Sequence, residues 1–149
     1  MTTVVSLVDT NVLVYRFDIR DPEKRRAATS LLRRGAEDGS LKIPHQALVE
    51  FVAAVTRPLR GGPILGFGEA LAAVEELIVE FEILYPTRGV VLSALRGSAA
   101  YGLSWYDAHL WAYADHYGLP EILSEDFQHG RLYGSVRAVN PFIRAGRRG

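Results

Sequence analysis

The chain has 149 residues, 48% of them hydrophobic, which is one domain's worth and enough for a sizeable core. It contains no cysteine, which excludes disulfides and thiolate metal sites, and no apolar run approaches the roughly 20 residues of a membrane span. Net charge is zero but unevenly spread: residues 16–60 carry ten bases and six acids, residues 61–130 two and ten, and the last nineteen five arginines and no acid. Fifteen of the seventeen bases are Arg, whose rigid fork suits phosphate; this permits a polyanionic partner without requiring one. The N-terminus lacks the basic start of a signal peptide, and Asp9 interrupts what would be its apolar core, so a soluble cytoplasmic protein is expected.

Val4–Val8 reads as a short buried strand. Asp21-Pro22-Glu23 is a helix start, with an acid as cap and Pro at the first helical position; this helix should run to about Arg34 and end near Gly39. Leu41–Ile43 is a short strand, and Pro44 begins a helix through "HQALVEFVAAVTR", stopped by Arg57-Pro58. Residues 58–68 hold four glycines and two prolines and read as a flexible loop. "GEALAAVEELIVE" is a helix and "FEILYP" a strand. A helix with Thr87 as cap and Gly102 as stop follows, then another between Ser104 and Gly118. "EILS" and "SVRAVNP" are the last strands, and residues 144–149 read as a frayed tail on a single domain of residues 1–143. Strands alternating with helices imply an α/β fold, with a mainly parallel sheet of four to five strands covered on both faces.

Four acids stand apart from the ordinary wet faces. Asp9 lies at the carboxyl end of the first strand, the edge where parallel sheets bind ligands, although an Asp-Thr-Asn turn would also account for it. Glu50, inside "ALVEFVAAV", has small neighbours at Ala47, Ala53 and Ala54 that leave room beside its carboxylate; with Gln46 and Arg57 it could equally form a solvent stripe. Asp107 fits a capping box with Ser104, yet its helical neighbours are apolar. Asp126 follows the strand "EILS", again at a carboxyl edge, where a polar turn is the alternative. Taken together, such acids cannot all ionise side by side without a cation. Their all-oxygen ligands favour Mg²⁺ or Mn²⁺, ions that bind phosphate oxygens and activate water for in-line attack.

The segments "LVDTNVLVYRFD", "QALVEFVAAVTRP", "LSWYDAHLWAYADHYG" and "EILSEDFQHG", in this order and spacing, resemble the PIN-domain nucleases, and within them the VapC-type toxins of bacterial toxin–antitoxin pairs. The resemblance spans nearly the whole chain. It implies a PIN-like fold and a divalent-metal-dependent endoribonuclease in which Asp9, Glu50, Asp107 and Asp126 bind one or two Mg²⁺ or Mn²⁺ ions. Thr10 and Asn11 would support the first acid, and Ser124 the last. It further implies an RNA substrate, a homodimer, and a VapB-type antitoxin that forms a hetero-oligomer with the toxin, with an antitoxin Arg entering the acidic cleft. A housekeeping RNA-processing nuclease and a catalytically silent RNA-binding module remain alternatives.

Other residues are set aside. Glu125, next to Asp126 on extended chain, should point the other way, and Asp115 lies about 12 Å along the helix from Asp107. His45, His109, His116 and His129 show no metal-ligand spacing. Trp105, Tyr106, Trp111 and Tyr113 read as core and dimer packing rather than a base-stacking platform. A haloacid-dehalogenase-type phosphatase would need an acid where Asn11 stands. A receiver domain would need a Lys near the end of the chain, where there is none.

Overall fold

The structure, a computed structural model, describes residues 4–143. Its strands are β1 (Ser6–Val8), β2 (Leu41–Pro44), β3 (Glu82–Leu84), β4 (Glu121–Leu123), β5 (Leu132–Tyr133) and β6 (Val136–Val139). The helices are α1 (Thr10–Tyr15), α2 (Pro22–Asp38), α3 (His45–Val55), α4 (Phe67–Glu80), α5 (Arg88–Tyr101) and α6 (Trp105–Tyr117). The expected tail at 144–149 lies outside the described residues.

The helix ends form where the sequence chemistry puts them. The Asp21 carboxylate accepts from the Lys24 amide and Pro22 opens α2, while Gly39 closes it at φ 70°, a left-handed conformation that glycine adopts without strain. The α3 helix stops at Val55, two residues earlier than the pattern suggests, with Thr56 as its cap. Thr87 and Ser104 cap α5 and α6 as expected.

All six strands form one sheet in the order β3-β2-β1-β4-β6-β5, parallel except for the β5–β6 hairpin. The sheet has one more strand than the upper expectation. That strand, β5, is two residues long, too short to carry a period. The α1 helix likewise has no counterpart in the sequence pattern, because Val12, Leu13 and Val14 in a row display neither a helical nor a strand period.

Alternation along the central strands feeds two cores. Leu7 and Ile122 face Val90, Ala94, Ala108 and Trp111 of α5 and α6. Val8 and Leu123 face Val12, Leu32, Phe51 and Leu77 of α1–α4. The connections β1–β2 and β2–β3 therefore run over one face, and the β3–β4 connection crosses to the other face and the other side of β1. The order in which strands are added reverses between the parallel neighbours β1 and β4, and at such a point the carboxyl edge opens into a crevice.

Candidate active site

Asp9 and Ser124 sit on either side of this switch. The ladder runs up to both: the Asp9 amide donates to Leu123 O at 3.0 Å and the Ser124 amide to Val139 O at 3.0 Å. Asp9 is 2% exposed and caps the first turn of α1. Its Oδ1 accepts from the Thr10 amide at 2.6 Å, and its Oδ2 accepts from the Ser124 hydroxyl and from Asn11 Nδ2 at 3.2 Å. Burial pushes its carboxyl up to about 7; the bonds from Ser124 and Thr10 pull the other way, and the charges of Asp126 and Glu50 push it higher still.

The other three acids surround this buried carboxylate at decreasing depth. Glu50 on α3 is half-buried, held by Thr10 Oγ1 at 2.7 Å and by Gln46 Nε2 at 3.1 Å. Asp107, also half-buried, lies in the first turn of α6, where its amide donates to the Ser104 hydroxyl at 3.1 Å. Burial raises its carboxyl above the usual range, Ser104 opposes this, and the charges of Asp126 and Glu50 reinforce it. Asp126 is exposed; its amide donates to Ser124 Oγ at 3.0 Å and its Oδ2 accepts from Asn11 Nδ2 at 3.2 Å. Glu50 and Asp126 thus lie within electrostatic reach of both Asp9 and Asp107, so all four acids belong to one cleft.

A divalent cation suits this donor set. The ligands are all hard oxygens, and two of the acids are harder to ionise, chiefly through burial and further through their neighbours' charges, a penalty that a cation would lift. Among the described residues no three His, Asp or Glu side chains already close into a cage. Mg²⁺ takes only one or two carboxylates directly and keeps several waters, so it does not require such a cage.

Asn11 links the two strand-end acids, because its amide nitrogen reaches Asp9, Ser124 and Asp126, each at 3.2 Å. The chain bends at residues 125–127 rather than running on extended, and Glu125 is held by residues other than the acids. It accepts from Tyr15 OH at 2.7 Å and Lys24 Nζ at 2.8 Å. Lys24 also lies 4.7 Å from the Tyr15 ring centre and 5.7 Å from that of Phe142. This clamp joins α1, α2 and the loop carrying Asp126. Sequence reasoning missed Tyr15, Lys24 and Gln46, whose contacts span from 4 to 110 positions and of which only the Gln46–Glu50 helical spacing was visible.

Asp115 is used elsewhere, accepting from Ser93 Oγ at 2.7 Å between α6 and α5. The histidines are occupied away from the acids: His45 packs on Tyr85, His109 bonds Trp105 O, His116 bonds Thr87, and His129 accepts from the Asn140 amide. The aromatic set of α6 divides. Trp111 and Tyr113 are core, as expected, whereas Trp105 and Tyr106 are 46% and 71% exposed and are not part of the core of this chain. Both occupy the first turn of α6.

The chain resembles known proteins at two levels. Its fold is similar to that of DNA-bound VapBC from Salmonella typhimurium (TM-score 0.66, 16% identity, 91% of this chain and 96% of that one). It is also similar to VapBC2 from Rickettsia felis bound to a promoter DNA fragment (0.67, 11%, 91% and 97%) and to the sarcin-ricin-loop-cleaving toxin VapC20 from Mycobacterium tuberculosis (0.60, 16%, 80% and 88%). No curated protein sequence matches it. The profile of the PIN domain matches residues 6–134, which takes in all four acids, and the chain belongs to the PIN domain family.

Proposed function

We propose that this protein is a divalent-metal-dependent endoribonuclease and the VapC-type toxin of a toxin–antitoxin pair. One observation carries the enzymatic part: a carboxylate that is 2% exposed, Asp9, shares a cleft with Glu50, Asp107 and Asp126 at the switch between β1 and β4. Burying a carboxylate among like charges is costly, and holding a cation is the function that offsets the cost. Its toxin role is supported by likeness in fold to proteins described as VapBC complexes and as a sarcin-ricin-loop-cleaving toxin. A VapB-type antitoxin as partner, a homodimer, growth arrest on expression and a cytoplasmic location all belong to this same proposal.

Asp9, Asp107, Asp126 and Glu50 would hold Mg²⁺ or Mn²⁺. When bound, the ion supplies positive charge for the phosphodiester oxygens and lowers the pKa of water. The chain's own groups do the rest. Ser124 and the Thr10 amide hold Asp9 in one orientation, and Asn11 fixes the spacing between Asp9 and Asp126. Thr10 and Gln46 aim the Glu50 carboxylate. Asp126, the exposed member, faces incoming substrate.

The test is Asp9→Asn, with the fold checked by circular dichroism. Cleavage of total cellular RNA with added Mg²⁺ or Mn²⁺ should fall at least a hundredfold, and expression should no longer arrest growth. Undiminished cleavage and toxicity would sink the assignment. Sequencing of RNA 5′ ends after induction would then identify the target.

A further inference from the structure

The proposed cleft is acidic, whereas RNA is a polyanion, so substrate affinity must come from elsewhere on the surface. The outer face of α2 offers such a place. A groove of about 360 Å³ is lined by Pro22, Arg25, Arg26, Thr29, Ser30 and Arg33, with no acid among them. The three arginines are exposed, and none has an ion-pair partner among the described residues. The lining residues share a face because 22, 25 and 26, 29 and 30, and 33 step along the helix at three- and four-residue spacing, and from Pro22 to Arg33 the row spans about 16 Å. The row begins at the edge that carries the acids: Lys24, two residues from Pro22, bonds to Glu125, the neighbour of Asp126. At the far end, an adjoining groove holds Arg16 but also Glu37 and Glu80, whose charge would turn a phosphate chain away.

We infer that Arg25, Arg26 and Arg33 form a track for the phosphate backbone of single-stranded RNA extending from the cleft, with Thr29 and Ser30 as hydroxyl donors beside it. Unpaired guanidiniums in a row neutralise successive phosphates, and the counterions they release make affinity depend steeply on salt. The track supplies binding and plays no part in the cleavage step. This inference rests on the proposed ribonuclease reading, which supplies the RNA.

The experiment uses the full chain and two probes of defined length, a fluorescein-labelled uridine 20-mer and a mixed-sequence RNA tetranucleotide. Binding of the 20-mer to the cleavage-deficient Asp9→Asn protein is followed by anisotropy between 50 and 300 mM KCl. Adding Arg25→Ala, Arg26→Ala and Arg33→Ala together should weaken binding at least tenfold at low salt. It should also flatten the slope of log K against log salt by about 2, near 0.7 per lost contact. The triple Arg→Lys protein, which keeps the charge, should retain most of the slope. In the active background, the triple Ala protein should cut the tetranucleotide at the parental rate. An unchanged salt slope overturns the track, as does a row that matters only for binding a protein partner. If the parent cuts neither these probes nor total cellular RNA, the ribonuclease reading fails, while the slopes still decide whether the row binds RNA.

Discussion

Thr10 Oγ1 donates to Glu50 Oε2 at 2.7 Å, so the residue after the first acid holds the second, forty positions away. The bond joins the start of α1 to the middle of α3 and makes the position of Glu50 depend on the same turn that fixes Asp9.

Removing that bond should be felt in both stability and activity. Thr10→Val keeps the shape but deletes the donor to a half-buried carboxylate, at a cost of about 1–2 kcal/mol. Glu50→Gln behaves oppositely. Its amide can still bond Thr10 and Gln46, and a negative charge leaves the cleft, so the metal-free protein should be unchanged or more stable in urea denaturation. Loss of several kcal/mol in Glu50→Gln would mean that Glu50 holds the fold rather than an ion.

The titration of Asp9 gives a pH dependence of definite sign. Its carboxyl moves from 3.8 to about 7 on folding, chiefly through burial, so between those values the folded protein binds more protons than the unfolded one. Stability therefore falls as pH rises through this window, approaching about 1.4 kcal/mol per pH unit for this group, and the full penalty is present above about pH 7. Asp107, also raised, acts in the same direction. Asp18 and Asp38, lowered chiefly by their bonds to Arg20 and Ser40, act at lower pH. Urea midpoints in EDTA from pH 4.5 to 8 should decline for the parent and flatten for Asp9→Asn. Saturating Mg²⁺ should recover the parent's loss at pH 8, and parallel curves for the two proteins would refute this account.

The clamp of Lys24, Tyr15 and Glu125 predicts an effect on catalysis without contact with substrate. Lys24→Met leaves Glu125 with Tyr15 alone and should cost about 1 kcal/mol, because the pair is only partly buried. The loop carrying Asp126 would then be less fixed, and kcat should fall severalfold with KM little changed. The swap Lys24→Glu with Glu125→Lys should recover part of the rate. If the swap is no better than either single variant, the pair does not position the loop.

Much of this fold was legible because its punctuation is local. Asp21-Pro22, Thr87, Ser104, Gly39, Gly102 and Gly118 mark helix ends through bonds that reach four residues or fewer. The acids were legible for a different reason: charged groups beside short apolar strands need an account, and the family resemblance ordered them. What escaped depends on distant partners or very short elements. Two-residue β5 exists because β6 pairs with it, and α1 exists because Val12 and Leu13 are buried against α2 and α3. Trp105 and Tyr106, in the first turn of α6, are exposed while Trp111 and Tyr113 are buried, a division that depends on what packs against each turn and that composition does not reveal.

The packing of α5 on α6 leads to the last prediction, since α6 carries Asp107. Gly97 lies on the buried side of α5, and a Cβ there would run into the six-membered ring of Trp111. That ring cannot move aside cheaply, because Trp111 Nε1 donates to Tyr133 O at 2.9 Å in the core and the ring packs edge-on against Tyr101. Gly97→Ala gains helix propensity but should lose about 1–3 kcal/mol to overpacking, seen as a lower thermal midpoint. Trp105 is the only other tryptophan and is half-exposed, so a change in the buried component of the fluorescence reports Trp111 directly. Moving Trp111 tilts α6 and shifts Asp107, four residues earlier, so metal-dependent cleavage should fall more than the lost stability explains. Parental cleavage at a temperature where the variant is fully folded would show that the cleft tolerates the tilt.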